Sequence, residues 1–172
     1  MLRVILAAFF LILAAVIPAG AADNGKDPSL DGLKILMVVA DPVDAELEGL
    51  GFTSEWVQSA VEEKLKTAGL HVASAEAGIR LGAGIKLKRH GAPYLNVTVD
   101  TPSQGAEHSY LIHLALRQDA KLVRNSALIR SIPTWVLDIR VKAGQTGLVE
   151  AMKARTLEGV EKFISAWKNS NK

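Results

Sequence analysis

A glycine-rich basic stretch is the part of the sequence that comes nearest to a phosphate-binding motif. Residues 81–91 are LGAGIKLKRHG, with two glycines one residue apart and several cations after them. A P-loop places lysine directly after its second glycine and then Ser or Thr, but Ile85 follows Gly84 and no hydroxyl comes next. A dinucleotide-binding fingerprint needs a third glycine where Leu87 stands. Neither motif is therefore present.

What remains of this stretch is a basic loop. Unspecific attraction could bring it to phosphate groups or acidic lipid headgroups. The residues alone leave three interpretations open: a solvated loop, a contact with an anionic partner or membrane surface, and a specific anion site. We take its cations as a candidate anion-contact loop: Arg80, Lys86, Lys88 and Arg89.

The other reactive side chains form no catalytic or metal-binding constellation. The four histidines include no H-E-x-x-H or H-x-H pair, and His108 and His113 would face opposite sides of one strand. No serine lies in a G-x-S-x-G elbow, and the acids of the 41–48 stretch lack the EF-hand pattern. The chain has no cysteine, which excludes a thiolate nucleophile. We predict no metal, no cofactor and no enzymatic activity.

The amino-terminal 22 residues have the layout of a secretory signal. Arg3 precedes an uncharged apolar run over residues 4–17, and small residues follow, with cleavage expected after Ala21 or Ala22. The alternative is a membrane anchor, but about 14 apolar residues fall short of the roughly 20 needed to span hydrocarbon. We therefore predict a periplasmic or secreted protein with no membrane span after cleavage.

Net charge, cysteine content and length restrict the kinds of protein to which the exported chain can belong. The formal net charge is +2, and Arg3 would leave with the signal, whereas a nucleic-acid-binding protein usually has a strong basic excess. The absence of cysteine also excludes a lipid anchor on an amino-terminal cysteine. The remaining length of about 150 residues predicts one domain over residues 33–168, with a flexible lead-in over 23–32 and a frayed tail over 169–172.

Hydrophobic periodicity predicts the elements of this domain. A buried strand over residues 33–40 is followed by a loop through Gly51, then a helix that Thr53 or Ser54 caps and Gly69 ends. A short strand over residues 70–75 comes next. Three longer strands with period-two alternation then lie near residues 93–100, 108–118 and 134–142, and a long basic loop precedes the last of them. A helix over residues 146–168 ends the domain.

This order, β-α-β-β-β-β-α, predicts an α+β fold: a two-layer sandwich of an about five-stranded, mostly antiparallel sheet with two helices on one face. The helices would cover the face that carries Leu95, Leu114, Trp135 and Leu137. The opposite face would stay open and polar. We take its side chains as a candidate partner-binding surface: Tyr94, Asn96, Thr98, His113, Arg117, Asp138 and Arg140.

The segments VEEKLKTAGLHV, PYLNVTV and TW resemble, in type and spacing, a group of small bacterial secreted proteins of unknown function. That group shares an L..AG..V helix end, a PYL.V.V strand and a later TW strand, and the resemblance covers most of the mature chain. The element order is also similar to small envelope assembly modules, such as the lipopolysaccharide-assembly lipoprotein and the amino-terminal domain of TolB. The similarity of topology implies a partner-binding role, although the chain lacks the lipid cysteine of the first.

These observations favour an exported, non-enzymatic envelope protein that acts as a protein- or surface-binding module. Its partner would be an envelope protein or an anionic surface, and not nucleic acid. The alternative is a small-ligand carrier or enzyme with a pocket between the helices and the sheet, near Tyr94 or Trp135. Oligomerisation through a sheet edge is a third possibility. The strand order, the edge strands and the oligomeric state do not follow from the sequence.

Overall fold

The computed structural model describes residues 26–73, 92–101, 109–142 and 146–172. The predicted signal sequence, residues 1–22, lies outside these ranges. The elements in chain order are β1 (Ile35–Ala40), α1 (Ala45–Gly49), α2 (Ser54–Thr67), β2 (His71–Val72), β3 (Tyr94–Asp100), β4 (Ser109–Lys121), β5 (Leu128–Lys142) and α3 (Leu148–Ser170). The predicted α+β class is confirmed. None of the helices in these ranges has the length and apolar character that a membrane-spanning helix requires.

The five strands form one mixed sheet in the order β2-β1-β3-β4-β5. The strand β1 is parallel to both β2 and β3, whereas β3, β4 and β5 are antiparallel to their neighbours. The sheet is thus mostly antiparallel, as predicted, and the two parallel pairings of β1 are a feature that the sequence analysis did not specify. A strand that is reached through a crossover helix returns in the original direction, as β2 does after α2.

Both long helices pack on the same face of the sheet, as predicted. The residues Val57, Val61 and Leu65 of α2 are buried there, and so is Phe163 of α3, whose ring meets that of Trp135 edge to face at 5.0 Å. The buried positions of the strands alternate with more exposed ones, because successive side chains point to opposite faces. The core thus lies between the helices and one face of the sheet.

The helix α2 has the ends that its sequence predicts. The hydroxyl Oγ1 of Thr53 accepts a hydrogen bond from the backbone N–H of Trp56 at 3.1 Å, which satisfies a free donor of the first turn. At the other end, Gly69 has a φ of +95°, and the N–H of Leu70 donates to the carbonyl of Leu65 at 3.1 Å. A side chain at that φ would be strained, so glycine suits the stop.

The stretch predicted as a loop through Gly51 contains a helix, α1. Its N-cap is Asp44, whose carboxylate accepts from the N–H of Glu46 at 2.8 Å, and Leu47 points fully into the core. Five residues make about one and a half turns of helix, and here they include only one apolar residue that faces the core. A helical period cannot be recognised in the sequence from a single position. The helix also brings Phe52 into the core, where it is fully buried.

The described part of the predicted lead-in, residues 26–32, is tied to the predicted tail, in contrast to the expectation that the two segments are flexible and frayed. Leu30 is fully buried, and its carbonyl accepts a hydrogen bond from Nδ2 of Asn171 at 2.8 Å. The backbone N–H of Asp27 donates to Oγ of Ser170 at 2.9 Å, and α3 continues to that serine. Indole Nε1 of Trp167 donates to the carbonyl of Leu33 at 2.7 Å. Each end supplies the partners for the other, which neither segment shows alone.

On the edge of β1 that faces away from β3, a glutamine of α2 bonds the backbone beyond the described pairs with β2. Ile35 and Leu36 of β1 pair with β2. Farther along, the side-chain amide of Gln58 accepts from the N–H of Ala40 at 3.1 Å and donates to the carbonyl of Val38 at 2.9 Å. The amide thus makes the two bonds that an adjacent strand would make, and it fixes α2 against the sheet.

The basic loop predicted before the last strand is instead mostly strand. β4 continues to Lys121 and β5 begins at Leu128, so the two strands form a hairpin longer than the rest of the sheet. Two irregularities in register mark the change, near Leu116 and near Gln118. Beyond them none of the hairpin's residues is fully buried, so the alternation that signals a half-buried strand is lost there.

Candidate functional site

The predicted partner-binding residues share the sheet face that the helices leave uncovered. The register sets Tyr94 opposite Arg117, and it sets Thr98 opposite His113. In turn His113 lies opposite Asp138, and Arg140 follows two residues along β5 on the same face. We call this side of β1, β3, β4 and β5 the uncovered face.

Most polar groups on the uncovered face are already paired with one another. Nδ1 of His113 and Oδ1 of Asp138 share a hydrogen bond of 2.6 Å, with side chains 31% and 60% exposed. Because both side chains are exposed to solvent, the pair contributes little to the free energy of unfolding. It nevertheless presents charge and hydrogen-bonding groups to a partner. The side chain of Arg140 is exposed and makes no hydrogen bond to the described residues.

A second polar group lies where the register first shifts, around a serine that the sequence did not single out. Oη of Tyr94 and Oγ of Ser131 share a hydrogen bond of 2.6 Å, and Nη1 of Arg117 donates to the carbonyl of Ser131 at 3.1 Å. The N–H of Ser131 donates to Oδ1 of Asp119 at 3.0 Å. Ser131 has a φ of +54°, which turns its backbone toward these partners. Nothing in the local sequence marks a serine for that conformation.

Two residues of the predicted partner-binding surface make hydrogen bonds to other parts of the protein. Asn96 is only 8% exposed and donates from Nδ2 to the carbonyl of Val39 at 3.2 Å, so the expectation that it is open to a partner was wrong. Asn96 lies on β3, in the middle of the sheet, with strands on both sides of it. Oγ1 of Thr98 donates to Oδ2 of Asp41 at 2.7 Å, which fixes the chain where β1 ends.

A row of residues that is apolar except for Asn96 crosses the uncovered face between these polar groups. Val39, Asn96, Ala115 and Val136 follow one another in register across β1, β3, β4 and β5. Val136 is 56% exposed and Val39 is 37% exposed. The sequence contained the signal for Val136, since the alternation that points Trp135 and Leu137 inward points Val136 outward. The exposure of Val39 was not predicted, because the strand over residues 33–40 was expected to be buried. The two exposed valines therefore lie on β1 and β5, at the two ends of a row that has polar groups on either side of it.

The other predicted sites fall elsewhere. The candidate anion-contact loop, Arg80, Lys86, Lys88 and Arg89, lies outside the described residues. Among the described residues, no group of three His, Asp or Glu side chains could hold a metal ion.

The predicted pocket between the helices and the sheet does not fit the two residues that suggested it. Tyr94 lies on the uncovered face, and Trp135 packs against Phe163 on the other side. A cavity of about 210 Å³ lies instead beside the chain ends, lined by Lys26, Asp27, Pro28, Asp31 and Ser170.

No family model and no curated protein matches the chain. Among solved structures, a PelC dodecamer from Paraburkholderia phytofirmans is similar at 16% identity, with a TM-score of 0.38, covering 78% of this chain and 92% of that one. The hypothetical protein CT253 from Chlamydia trachomatis is similar at 12% identity, with a TM-score of 0.44, covering 77% and 96%. Lipoprotein GNA1162 from Neisseria meningitidis is similar at 16% identity, with a TM-score of 0.34, covering 74% and 98%. At TM-scores below 0.5, these similarities support no conclusion about function.

Proposed function

We propose that this chain is an exported, non-enzymatic envelope protein that binds another protein through the uncovered face. The observation that supports the proposal is the exposure of Val39 and Val136 on a sheet face that faces away from both long helices. An antiparallel sheet can leave one face in water, but such a face is ordinarily lined with polar side chains. Two exposed valines in one row favour a contact that removes them from water.

The composition of the uncovered face suits a protein interface. Binding surfaces have an apolar centre and a polar rim, and here the valine row lies between the Tyr94–Ser131 group and the His113–Asp138 pair. Because the rim side chains are held by hydrogen bonds, they would lose little conformational freedom on binding. Arg140 and Asp138 are exposed at the rim and would select a partner of complementary charge.

The size of the face predicts a weak or transient contact. Four strands spaced about 4.8 Å apart and seven residues of about 3.3 Å each give roughly 20 Å by 20 Å, or about 400 Å². A standard stable interface buries about 800 Å² on each partner. We therefore expect a dissociation constant in the micromolar range unless other parts of the chain also contact the partner.

Crosslinking in the native host tests the contact directly. A photoreactive amino acid at Val136 should give a discrete adduct with another protein when cells are irradiated. The same amino acid at Ser165, which is exposed on α3 and away from the uncovered face, serves as the control and should give none. Equal adduct yields at the two positions would refute the proposal.

A matched pair of charge substitutions then tests the apolar row. Val136→Arg should abolish an adduct formed from position 39, because a charge would have to be buried at the centre of the contact. Leu50→Arg is the control, since Leu50 is also 56% exposed but lies beyond α1. Both variants should keep the melting temperature of the original protein. An adduct that survives Val136→Arg would contradict the proposed site.

Export is tested separately. The protein recovered from the periplasmic fraction should have the mass of a chain that begins at residue 22 or 23. A chain that keeps residues 1–22 and stays in the cytoplasm would refute export without bearing on the contact itself.

A further inference from the structure

The hairpin of β4 and β5 continues beyond its neighbour β3. Pairing between β3 and β4 ends at Tyr94 and Arg117, whereas pairing between β4 and β5 continues to Lys121 and Leu128. Four further residues at about 3.3 Å each make a two-stranded ribbon that extends roughly 13 Å past β3. We call residues 121–130 the hairpin tip.

The hairpin tip holds its own shape through hydrogen bonds within the turn. The N–H of Leu122 donates to the carbonyl of Ala127 at 2.9 Å, and the N–H of Ser126 donates to the carbonyl of Leu122 at 2.7 Å. Oδ1 of Asn125 accepts from the N–H of Ala127 at 3.1 Å. Because these bonds close the turn, Val123 and Arg124 are presented at its outer end without support from the core.

The exposed side chains of the hairpin tip are apolar or positively charged. Val123 is fully exposed and Ile129 is 38% exposed. The cations Lys121, Arg124 and Arg130 are exposed around them. The hairpin tip, residues 121–130, contains no acid and has a formal charge of +3; Asp119 lies on the adjoining part of β4, where its carboxylate accepts from the N–H of Ser131. A single exposed valine is ordinary on a protein surface, but a valine at the apex of a cationic projection is a specific combination.

We propose that the hairpin tip binds an anionic phospholipid surface. The three cations would lie among the headgroup phosphates, and Val123 would enter the layer between headgroups and acyl chains. Shape favours lipid over a folded protein, because a ribbon two strands wide offers a convex point and not the roughly 800 Å² of a standard protein interface. The proposal goes beyond the uncovered face and does not depend on it.

The expected strength follows from the charges. Each Lys or Arg near an anionic membrane surface strengthens binding about fivefold, so three cations predict roughly a 100-fold preference for anionic over neutral vesicles. Screening at high salt should remove most of that preference, since the contact is exposed to solvent. Removing one cation should weaken binding about fivefold, and removing the apolar apex should weaken it by a similar factor.

Vesicle co-sedimentation tests the proposal. The probe is phosphatidylglycerol vesicles compared with phosphatidylcholine vesicles, at about 0.1 M and about 0.5 M salt. The protein is purified as its host processes it, with its amino terminus established by mass spectrometry, so that the apolar residues 4–17 do not themselves mediate binding. Binding should require phosphatidylglycerol and should fall at high salt.

Two matched pairs of variants locate the contact. Arg124→Gln should weaken binding about fivefold, whereas Lys168→Gln, the same charge change on exposed α3, should not. Val123→Ser should also weaken it, whereas Leu50→Ser, the same loss of exposed apolar surface elsewhere, should not. All four positions are exposed, so unchanged melting temperatures are expected.

Three results would overturn the proposal: no binding to phosphatidylglycerol vesicles, equal binding to both lipids, or equal loss in the tip and control variants. A photoreactive residue at Val123 that captures a protein, with no vesicle binding, would assign the tip to a protein contact instead. Val136→Arg should leave vesicle binding unchanged. Failure here is therefore distinguishable from failure of the contact at the uncovered face.

Discussion

Gly159 tests the close packing that holds α3 on one face of the sheet. It lies within α3 where the helix crosses β4 and β5, and a methyl group added to it would come 2.9 Å from Cδ1 of Leu114 and 3.0 Å from Cδ1 of Ile139. Both of these side chains are buried in the core. In an isolated helix, Gly→Ala would stabilise by about 1 kcal/mol. Here helix propensity and packing oppose each other.

The packing term should exceed the propensity term. Forcing an extra methyl into a filled core costs about 1–3 kcal/mol, against a gain of about 1 kcal/mol from propensity. We therefore expect Gly159→Ala to lower the free energy of unfolding by about 1 kcal/mol. In a Leu114→Ala background the contacts with Leu114 are removed and only that with Cδ1 of Ile139 remains, so the same substitution should stabilise by about 0.5 kcal/mol. The sign change corresponds to a coupling of about 1.5 kcal/mol, well above the error of additivity for independent sites.

Urea unfolding of the four proteins of this cycle measures the coupling. Ala154→Gly, at an exposed position of α3, is the control for helix propensity and should destabilise by about 1 kcal/mol. If Gly159→Ala stabilises both backgrounds equally, α3 does not approach the sheet at Leu114. The reasoning that α3 covers this face, and leaves the other to a partner, would then be refuted.

Two further predictions concern the chain ends and pH. Asn171→Ala should cost about 1–2 kcal/mol in urea unfolding, because its amide bonds the lead-in; Lys172→Ala should cost nothing, and equal losses would contradict this. Desolvation raises the pKa of Glu62, but hydrogen bonds from Lys66 and Gln58 outweigh it, so the pKa lies below the ordinary 4.5. Glu62 therefore stabilises above that value and loses its effect as pH falls through the folded-state pKa. Glu62→Gln should cost about 0.5–1 kcal/mol at pH 7, and this cost should shrink as pH falls below 4.5; a cost that does not change with pH would contradict the assignment.

The faces of the long strands were predictable because they are a local property. Successive side chains of a strand point to opposite sides, so period-two alternation already placed Leu95, Leu114 and Leu137 together under the helices. The same alternation placed His113 and Asp138 together on the other side. The caps of α2 were predictable for the same reason, since Thr53 and Gly69 act within a few residues of the helix ends.

The features that the sequence analysis did not predict have physical causes of a different kind. The helix α1 is shorter than the window over which a period can be recognised, and the hairpin beyond Gln118 has no buried face to impose alternation. The burial of Asn96 depends on its neighbours in β1 and β4, which are distant in sequence. The exposure of Val136 was discernible from the alternation. The exposure of Val39, in a strand predicted to be buried, and the alignment of the two valines in one row required the tertiary structure.

The sequence by itself determined the α+β class, the extent of α2, and which residues of each long strand share a side, because backbone geometry and hydrophobic period act over a few neighbouring residues. Only the tertiary structure decided the parallel pairing of β1, the hydrogen bonds between the two chain ends, and the close approach of Gly159 to Leu114. It also decided that His113 meets Asp138 and that Tyr94 meets Ser131. These contacts join residues that are far apart in the chain. Strand order and register bring those residues together, and both result from the packing of all the elements at once.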